Sequence, residues 1–324
     1  MRTVAAEPLR VPTHPLGTSI LTRRFDPVAW FILFAIVGGG LTATIALAPR
    51  LGLPLATALA TVGGLAAIAV TERLRPYEQS WLRSHDDVRT DVLHAVFSDV
   101  VTKRIVDAAV RAGGVALAAA LGPAIALGVW PAGWPVLAQF ALALCFVEFF
   151  QYWVHRCEHE WAGWLWRIHA THHSAPRLYW LNAARLHPGD TALLYLSSYV
   201  PLAVLGCPPL VIALFAVFDA VFGTIQHCNI RLALGPLNYV LSTPELHRWH
   251  HSRRVEEANA NYGSNLIVWD LAFGTYFFPR DRRPPLDIGV AGMPGFPRDY
   301  GGQILSPLRW TSLLASAESH ADQA

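Results

Sequence analysis

Two apolar runs near the start of the chain decide its fold. The first is VAWFILFAIVGGGLTATIALA at residues 28–48, and the second is LGLPLATALATVGGLAAIAV at residues 51–70. Neither run contains a charged residue, and about 20 apolar residues are enough to cross a bilayer as an α-helix. Because only Pro49 and Arg50 separate them, the two runs predict an antiparallel pair of membrane-spanning helices.

The following sequence extends this pattern. Residues 112–147 are again uncharged, and the turn WPAGWP at residues 130–135 divides them into a second hairpin with Trp130 and Trp134 at the membrane interface. The chain has 324 residues, of which 53% are hydrophobic and 15% charged, against about 25% charged residues in soluble domains. Buried helices of a soluble protein are the alternative, but four such segments are many for one small chain.

A further apolar stretch, residues 192–226, is interrupted at residues 206–209. Its first arm, residues 192–205, has 14 residues and would be roughly 21 Å long as a helix, which is short of the ~30 Å hydrocarbon core. A re-entrant or short hairpin is therefore favoured. The predicted fold is all-α and polytopic, with about four transmembrane helices in two hairpins, this extra hairpin and a cytoplasmic histidine-rich helical cap.

The distribution of positive charge predicts the orientation. The turn after the first span holds only Arg50, whereas arginines precede that span and follow the second. The positive-inside rule then places both termini and the histidine-rich region on the cytoplasmic side, in what we expect to be a bacterial inner membrane. The charges used are Arg2, Arg10, Arg23, Arg24, Arg73, Arg75, Arg83, Arg89, Lys103 and Arg104.

The same patterns divide the chain into segments. Residues 46–48 (ALA) look like a signal-peptidase site, but the apolar run is longer than that of a signal peptide, so an uncleaved span is favoured. The predicted segments are a cytoplasmic N-terminal segment at 1–27, a first hairpin with its cytoplasmic linker at 28–104, a second hairpin with a histidine-rich catalytic domain at 105–278, and a cytoplasmic tail at 279–324.

Charge and cysteine content exclude several classes of function. The net charge is +2 and no basic run stands out, which gives no case for a nucleic-acid partner. The four cysteines form no CxxC pair, so neither a disulfide framework nor a cysteine zinc site is expected. They are Cys145, Cys157, Cys207 and Cys228.

Histidine is the anomalous residue of this sequence. Ten of the 14 histidines lie between residues 155 and 251, in the motifs HRCEH at 155–159, HATHH at 169–173 and HRWHH at 247–251, with His187 and His227 standing alone. Spacings of three and four residues place the histidines of each motif on one face of a helix. Glu148 lies seven residues before His155, within about 20° of the same helical stripe.

Any one of these motifs could be a surface or core pair. Together they have no packing rationale, because clustered imidazolium ions would repel one another and buried neutral rings need partners. Metal binding relieves both problems, and eight or more imidazoles exceed what one ion can accept, so two metal ions are predicted. Nitrogen ligation suits zinc, iron, copper or nickel and does not choose among them.

Several further motifs strengthen the pattern, namely RLHP at 185–188, QHCN at 226–229, NYGSN at 261–265, WD at 269–270 and FGT at 273–275. Together the motifs resemble the fatty acid hydroxylase/sterol desaturase superfamily of integral-membrane di-iron oxygenases, over about residues 146–279. The resemblance implies that two iron ions are held by His155, His159, His169, His172, His173, His227, His247, His250 and His251, with His187 as a further ligand or an outer group.

Other positions are assigned by the same resemblance. Glu148, Asn265 and Asp270 are candidates to accept imidazole N–H groups. Arg231 stands where some members carry another histidine, which leaves the ligand count at one iron open.

The reaction implied is O₂-dependent hydroxylation or desaturation at a C–H bond of a membrane lipid, either sterol-like (isoprenoid) or fatty acyl. The implied cofactors are two iron ions, with O₂ as co-substrate. The sequence has no GxGxxG at a strand–helix junction, no CxxCH and no iron–sulfur cysteine set. A separate electron donor is therefore expected, a ferredoxin or a cytochrome b5-like protein with a NAD(P)H reductase.

Two other functions compete with this interpretation. HRCEH at 155–159 also matches the HxxEH pattern of a membrane-embedded metallopeptidase, although that reading leaves eight histidines unexplained. A non-enzymatic metal- or haem-binding membrane protein is the second alternative. Transport would place ligands within the spans, and haem would need only one or two histidine pairs.

Overall fold

The structure of the protein is a computed structural model that describes residues 26–121, 128–161 and 163–321. Within these residues the chain is helical and contains no β-strand, only isolated bridges. The α-helices are α1 (Pro27–Leu51), α2 (Leu53–Leu74), α3 (Val88–Leu93), α4 (Thr102–Leu121), α5 (Val136–Glu160), α6 (Trp164–His173), α7 (Pro188–Leu205), α8 (Pro209–His227), α9 (Pro244–His250), α10 (Val255–Ala258), α11 (Val268–Phe273), α12 (Tyr300–Leu305) and α13 (Trp310–Ala321).

Some of the residues used in the predictions lie outside the described ranges. Arg2, Arg10, Arg23 and Arg24, which entered the orientation argument, are among them, as are residues 122–127 of the second predicted hairpin.

The first hairpin forms as its sequence predicts. The Asp26 carboxylate accepts hydrogen bonds from the backbone N–H groups of Val28 and Ala29 at 3.0 and 3.3 Å, and Pro27 occupies the first helical position. This N-cap satisfies donors that the helix itself leaves free. Gly52, at φ 77°, separates α1 from α2. A glycine is favoured there because the left-handed backbone region is costly for residues with a Cβ.

Four helices are long and apolar enough to cross a membrane, namely α1, α2, α5 and α8. The predicted fold class, a helical membrane protein with about four such helices, is confirmed, but the set differs from the predicted one. Helix α8, predicted as part of the short hairpin, is one of the four, whereas α4, which holds the first arm of the predicted second hairpin, is not among them. The hairpin of α7 and α8 is longer than its sequence suggested. His187 accepts a hydrogen bond from the Gly189 N–H and Pro188 is the first helical residue, so α7 begins before residue 192 and contains 18 residues, about 27 Å of helix.

Helix α8 packs against α1, α2 and α5. Small residues permit this close approach: a Cβ built on Gly64 would lie 2.6 Å from a methyl group of Val221, and one built on Gly40 would lie 3.2 Å from Val217. The glycine-rich runs therefore serve helix packing at these two positions. As a consequence α8 is held centrally and delivers His227, its last residue, to the end of the helical bundle.

Buried ion pairs tie the linker after α2 to the histidine-rich region. The Arg177 guanidinium donates to both carboxylate oxygens of Asp87 at 2.6 and 3.0 Å, and Arg185 donates to Asp91 at 2.6 Å. Glu72, at the end of α2, accepts the backbone N–H of Trp180 at 2.7 Å. These contacts fix the segment between α6 and α7 against the first half of the chain.

Candidate metal centre

The C-terminal half of α5 directs a polar face into the protein. Glu148, His155 and His159 are all buried there, at 0%, 7% and 7% exposure. The face predicted from the seven- and four-residue spacings is therefore present. Helices α6, α8 and α9 bring the other histidines against it, and these rings are also nearly inaccessible to solvent.

The ring nitrogens assemble into two groups. In each group the nitrogens that could bind a metal ion lie within 4.8 Å of one another. The first nitrogen group contains His155, His159, His169, His173 and His250. The second nitrogen group contains His172, His227, His247 and His251. Each group therefore has the donor number and compactness of a site for a single metal ion, and the two groups together use the predicted ligands other than His187.

The hydrogen bonds of the rings define which nitrogen is free to bind. His155 Nδ1 donates to the carbonyl oxygen of Tyr262 at 2.7 Å, and His250 Nδ1 donates to that of Ala260 at 2.9 Å. A neutral ring that donates through Nδ1 carries its lone pair on Nε2. Among the residues that the structure describes, the buried Nε2 atoms of His159, His173 and His250 have no hydrogen-bond partner. A buried nitrogen lone pair that accepts no hydrogen bond is suited to bind a metal ion.

The second nitrogen group shows the same arrangement. His227 Nδ1 donates to Asn182 Oδ1 at 3.1 Å, so its lone pair lies on Nε2, which faces His247 Nε2 at 2.9 Å. His247 Nε2 lies in turn 3.0 Å from His251 Nε2. Such convergence of nitrogens suits a shared cation, and neutral imidazole is the form that binds metals of the iron-to-zinc series.

Burial keeps these rings neutral. It lowers the pKa of His172 to about 3, with a further contribution from the neighbouring His169 ring. Burial, followed by neighbouring rings, also lowers the pKa values of His173, His247 and His251 well below their usual range. At neutral pH the nitrogens are therefore available as ligands without prior loss of a proton.

Some residues that orient the rings were not found from the sequence. His169 Nδ1 lies 3.0 Å from Asp190 Oδ2 and 3.3 Å from Glu158 Oε2, both in buried carboxylates. His159 Nδ1 lies 3.2 Å from Asn259 Oδ1. Contacts of this kind fix the tautomer and aim of a ligand. Asp190 could have been found from the sequence, because it follows HPG at 187–189 in the first turn of α7. Nothing in the sequence marks Asn182 or Asn259.

The three predicted acceptors of imidazole N–H groups have other partners. Glu148 accepts the backbone N–H groups of Asn265 and Leu266 at 2.6 and 2.9 Å and the Asn265 side chain at 2.6 Å. Asp270 accepts the backbone N–H of Tyr262 at 2.7 Å. These residues position the loop whose Tyr262 carbonyl accepts the hydrogen bond from His155. They therefore act on the rings indirectly, through the backbone of this loop.

His187 lies in neither nitrogen group. Its Nδ1 accepts the backbone N–H of Gly189 at 3.0 Å, and its Nε2 donates to the carbonyl oxygen of Ile304 at 3.2 Å. Both ring nitrogens are therefore used, one to cap α7 and one to anchor α12. The choice between the two roles left open by the sequence stays a prediction, and these two hydrogen bonds favour the outer role.

Comparisons with known proteins agree with this geometry. Residues 140–275 match the fatty acid hydroxylase family. The ornithine lipid hydroxylase of Rhizobium tropici is 38% identical over 242 residues, which cover 70% of this chain and 69% of that protein. The human alkylglycerol monooxygenase is 37% identical over 132 residues, which cover 40% of this chain and 28% of that protein.

A more distant relative is named for a different activity. The very-long-chain aldehyde decarbonylase GL1-6 of Oryza sativa subsp. japonica is 29% identical over 144 residues, which cover 40% of this chain and 21% of that protein. No solved structure gives a significant match. The match to the Rhizobium protein extends over more than two thirds of both sequences, and the family region contains the residues of both nitrogen groups. The chain belongs to the fatty acid hydroxylase family.

Proposed function

We propose that the protein hydroxylates a C–H bond of a polar membrane lipid, using O₂ and two iron ions. The observation that carries this proposal is the pair of buried nitrogen groups, five and four imidazoles respectively, in a chain whose relatives are named as a lipid hydroxylase and a monooxygenase. These names favour polar lipids over the sterol-like substrate that the sequence resemblance suggested. They also favour hydroxylation over desaturation.

The residues present fit such a centre. His155, His159, His169, His173 and His250 would hold one iron, and His172, His227, His247 and His251 the other. The two ions would supply the activation of O₂, a redox chemistry that side chains lack. The protein holds the rings through Asp190, Asn182 and backbone carbonyls and excludes water, since none of the nine rings is more than 7% exposed.

A cavity of about 460 Å³ leads to the nitrogen groups. His155, His169, His172, His227 and His247 form part of its wall, and apolar side chains such as Leu65 and Leu194 form much of the remainder. An apolar channel that ends at the rings would hold an alkyl segment in front of the metals. The cavity is therefore the proposed lipid site.

The orientation and the source of electrons are also proposals. We place the histidine-rich region on the cytoplasmic side of a bacterial inner membrane, where a ferredoxin or a cytochrome b5-like protein with its NAD(P)H reductase could reach it. A surface pocket of about 700 Å³ supports the docking of an acidic electron donor, because several arginines line it around Trp249 of α9. The basic pocket is lined by Arg231, Arg248, Arg280, Arg282 and Arg283, with Glu245 as its acid.

The geometry disfavours the metallopeptidase. In an HxxEH peptidase the glutamate acts on water at the metal, whereas Glu158 is fully buried and contacts His169 Nδ1, the nitrogen opposite the one that faces the first nitrogen group. Replacement of Glu158 with Gln should abolish a peptidase but leave a hydroxylase measurably active. Because Glu158 contacts a ligand ring, a loss of lipid oxygenation of about 10- to 100-fold is expected, not complete inactivation.

The decisive experiment is lipid mass spectrometry of cells with and without the gene under ¹⁸O₂. A lipid that gains one labelled oxygen only in the presence of the intact gene supports the proposal, and a variant with His250→Ala is the control. A double bond without label would replace hydroxylation with desaturation. Purified protein that contains only zinc and consumes no O₂ would overturn the proposal.

A further inference from the structure

Two neighbouring residues in the wall of the basic pocket carry buried N–H groups without acceptors. Arg248 and Trp249 line the pocket and are 1% and 0% exposed. Among the residues that the structure describes, neither Arg248 Nε nor Trp249 Nε1 has a hydrogen-bond partner. Buried polar groups in folded proteins almost always have such a partner. These two donors therefore indicate an acceptor that binds in the pocket from outside the chain.

Arg248 also lacks a counter-ion. Its Nη2 donates to the carbonyl oxygens of Cys228 and Ile230 at 2.9 and 3.0 Å, and its guanidinium lies 3.8 Å from the centre of the Tyr77 ring. These partners are two carbonyl groups and a ring, and no ion pair within the described ranges includes Arg248. Arginine keeps its charge when it is buried, and buried charges are normally paired. This guanidinium is therefore suited to meet an anion.

The other charges of the pocket leave positive charge in excess. Glu245, its acid, accepts two N–H groups at 2.8 and 2.9 Å. In the part of the chain that the structure describes, Arg282 is the one arginine of the five that forms an ion pair, with Glu257 at 2.5 Å. Arg231 and Arg283 are exposed. The pocket therefore combines a buried cation with cations that a ligand can reach from the surface.

The pocket lies beside the ends of three apolar helices. Pro76 and Tyr77 line it directly after α2, and residues 232–233 line it shortly after α8. The Trp30 indole, in the first turn of α1, donates to the carbonyl oxygen of Leu234 at 3.1 Å. Because α1, α2 and α8 are long and apolar enough to cross a membrane, the pocket would lie at the level of the lipid headgroups. Basic pockets at this level bind anionic headgroups.

From these observations we infer that the basic pocket binds a phosphate group, which accepts from the Arg248 and Trp249 donors and meets the exposed arginines. Guanidinium donors match phosphate oxygens, and a volume of about 700 Å³ leaves room for the rest of a phosphate ester. Either a membrane lipid or a soluble ester could supply the phosphate. The inference goes beyond the proposed function, in which the same arginines attract the electron donor, and a bound phosphate should compete with that donor.

The test compares phosphate compounds with their phosphate-free counterparts on the purified full-length protein. In the lipid arm, native mass spectrometry measures the retention of phosphatidic acid against diacylglycerol with the same acyl chains, at equal mole fraction in detergent micelles. In the soluble arm, isothermal titration calorimetry compares glycerol 3-phosphate with glycerol at constant ionic strength. We expect a preference for phosphate of about tenfold or more in at least one arm, the usual scale of one hydrogen bond to a charged group. The arm that shows the preference identifies the source of the phosphate.

Two variants locate the binding in the basic pocket. Trp249→Phe keeps an aromatic ring but removes the N–H donor, and it should reduce the preference by about tenfold. Arg231→Gln combined with Arg283→Gln removes charges at exposed side chains alone, so it tests the pocket even if Trp249→Phe fails to fold, and it should reduce the preference severalfold. Arg298→Gln combined with Arg309→Gln makes the same charge change at exposed residues outside the pocket and should leave the preference intact.

These outcomes do not depend on turnover. An absence of preference in both arms, a preference that the folded pocket variants retain in full, or one that the control variant also loses overturns the phosphate assignment, even if a lipid is hydroxylated. A preference that falls in a pocket variant and persists in the control variant supports the assignment. It does so even if no lipid gains labelled oxygen, in which case only the proposed function fails.

Discussion

The ring centroids of His173 and His251 lie 4.6 Å apart, although the two rings belong to different nitrogen groups. Helix α6 causes this proximity, because the consecutive residues His172 and His173 point into different groups. One short helix therefore contributes ligands to both groups. Imidazole rings of the two groups would lie side by side around two bound metal ions. The loss of one ring should affect mainly the group to which it belongs.

The first prediction concerns metal content. His173→Ala and His251→Ala should each lower the iron content of the purified protein from about two ions per chain to about one, because each removes a ligand from a single group. Both should abolish lipid oxygenation. His187→Asn, which keeps a cap for α7, should retain both ions. Metal analysis by mass spectrometry checks this, and loss of iron from His187→Asn would contradict the ligand set.

The second prediction concerns electron delivery at the basic pocket. Arg231→Glu combined with Arg283→Glu should slow turnover driven by an acidic ferredoxin by about tenfold at low salt, because complementary charge mainly accelerates association. The difference should shrink as salt screens the charges. Arg309→Glu, outside the pocket, is the control. If a small chemical reductant also fails to support the double variant, the pocket is not a docking surface.

The third prediction tests the packing of α8. Gly64→Ala should destabilise the protein by about 1–3 kcal/mol, because the new methyl group would meet Val221 at 2.6 Å. Val221→Ala should restore part of that loss when the two changes are combined. Gly63→Ala is the matched control, since a Cβ at that position would meet no atom of the described residues within 4 Å beyond its own helix backbone and chain neighbours. Thermal unfolding in detergent measures all four proteins.

The fourth prediction concerns the buried pair between the linker and the histidine-rich region. Asp91→Ala should cost about 3–5 kcal/mol, since it leaves the Arg185 guanidinium buried without its partner. Arg185 and Asp91 are 1% and 0% exposed. Asp287→Ala, which removes the partner of Arg253 at the surface, should cost no more than about 1 kcal/mol. Equal losses of thermal stability in the two variants would show that the buried pair contributes no more to stability than the surface pair.

The fifth prediction is a pH dependence that arises from His94. Burial lowers the pKa of His94 from 6.5 to about 4. Between these pH values the unfolded chain binds more protons than the folded chain, so the free energy of unfolding should decrease as the pH falls from about 6.5 to about 4, by up to about 3 kcal/mol.

The His94→Gln protein should lose this contribution, and its unfolding temperature should fall less steeply with acidification than that of the unmodified protein. His85→Gln, at an exposed histidine, should keep the original slope. Identical slopes for all three proteins would contradict the assignment to His94.

The sequence was informative where helical periodicity applies. The spacings of HRCEH, HATHH and HRWHH place their histidines on single faces, and the apolar runs predict α1, α2 and much of α5 by length alone. The division of the histidines between two groups could not be predicted, because His172 and His173 are neighbours whose rings diverge only once α6 has packed against α5, α8 and α9.

The contacts made by loops could not be predicted from the sequence either. Asn182 and Asn259 orient His227 and His159 from irregular segments, and no spacing rule relates such pairs. Glu148 was correctly placed on the stripe of His155, yet its hydrogen bonds go to the loop that carries Asn265. The path of that loop depends on long-range packing, so the sequence could assign the face of Glu148 but not its partner.

Two exposed valines line the cavity that leads to the nitrogen groups, Val62 at 64% and Val100 at 54% exposure, and this apolar opening has a kinetic consequence. If substrate arrives by diffusion within the bilayer, the relevant concentration is its mole fraction among neighbouring lipids, not its amount per volume of buffer. Added inert phospholipid should then slow the enzyme at constant total substrate, as surface dilution requires. Variation in membrane composition would regulate the reaction without any effector site on the protein.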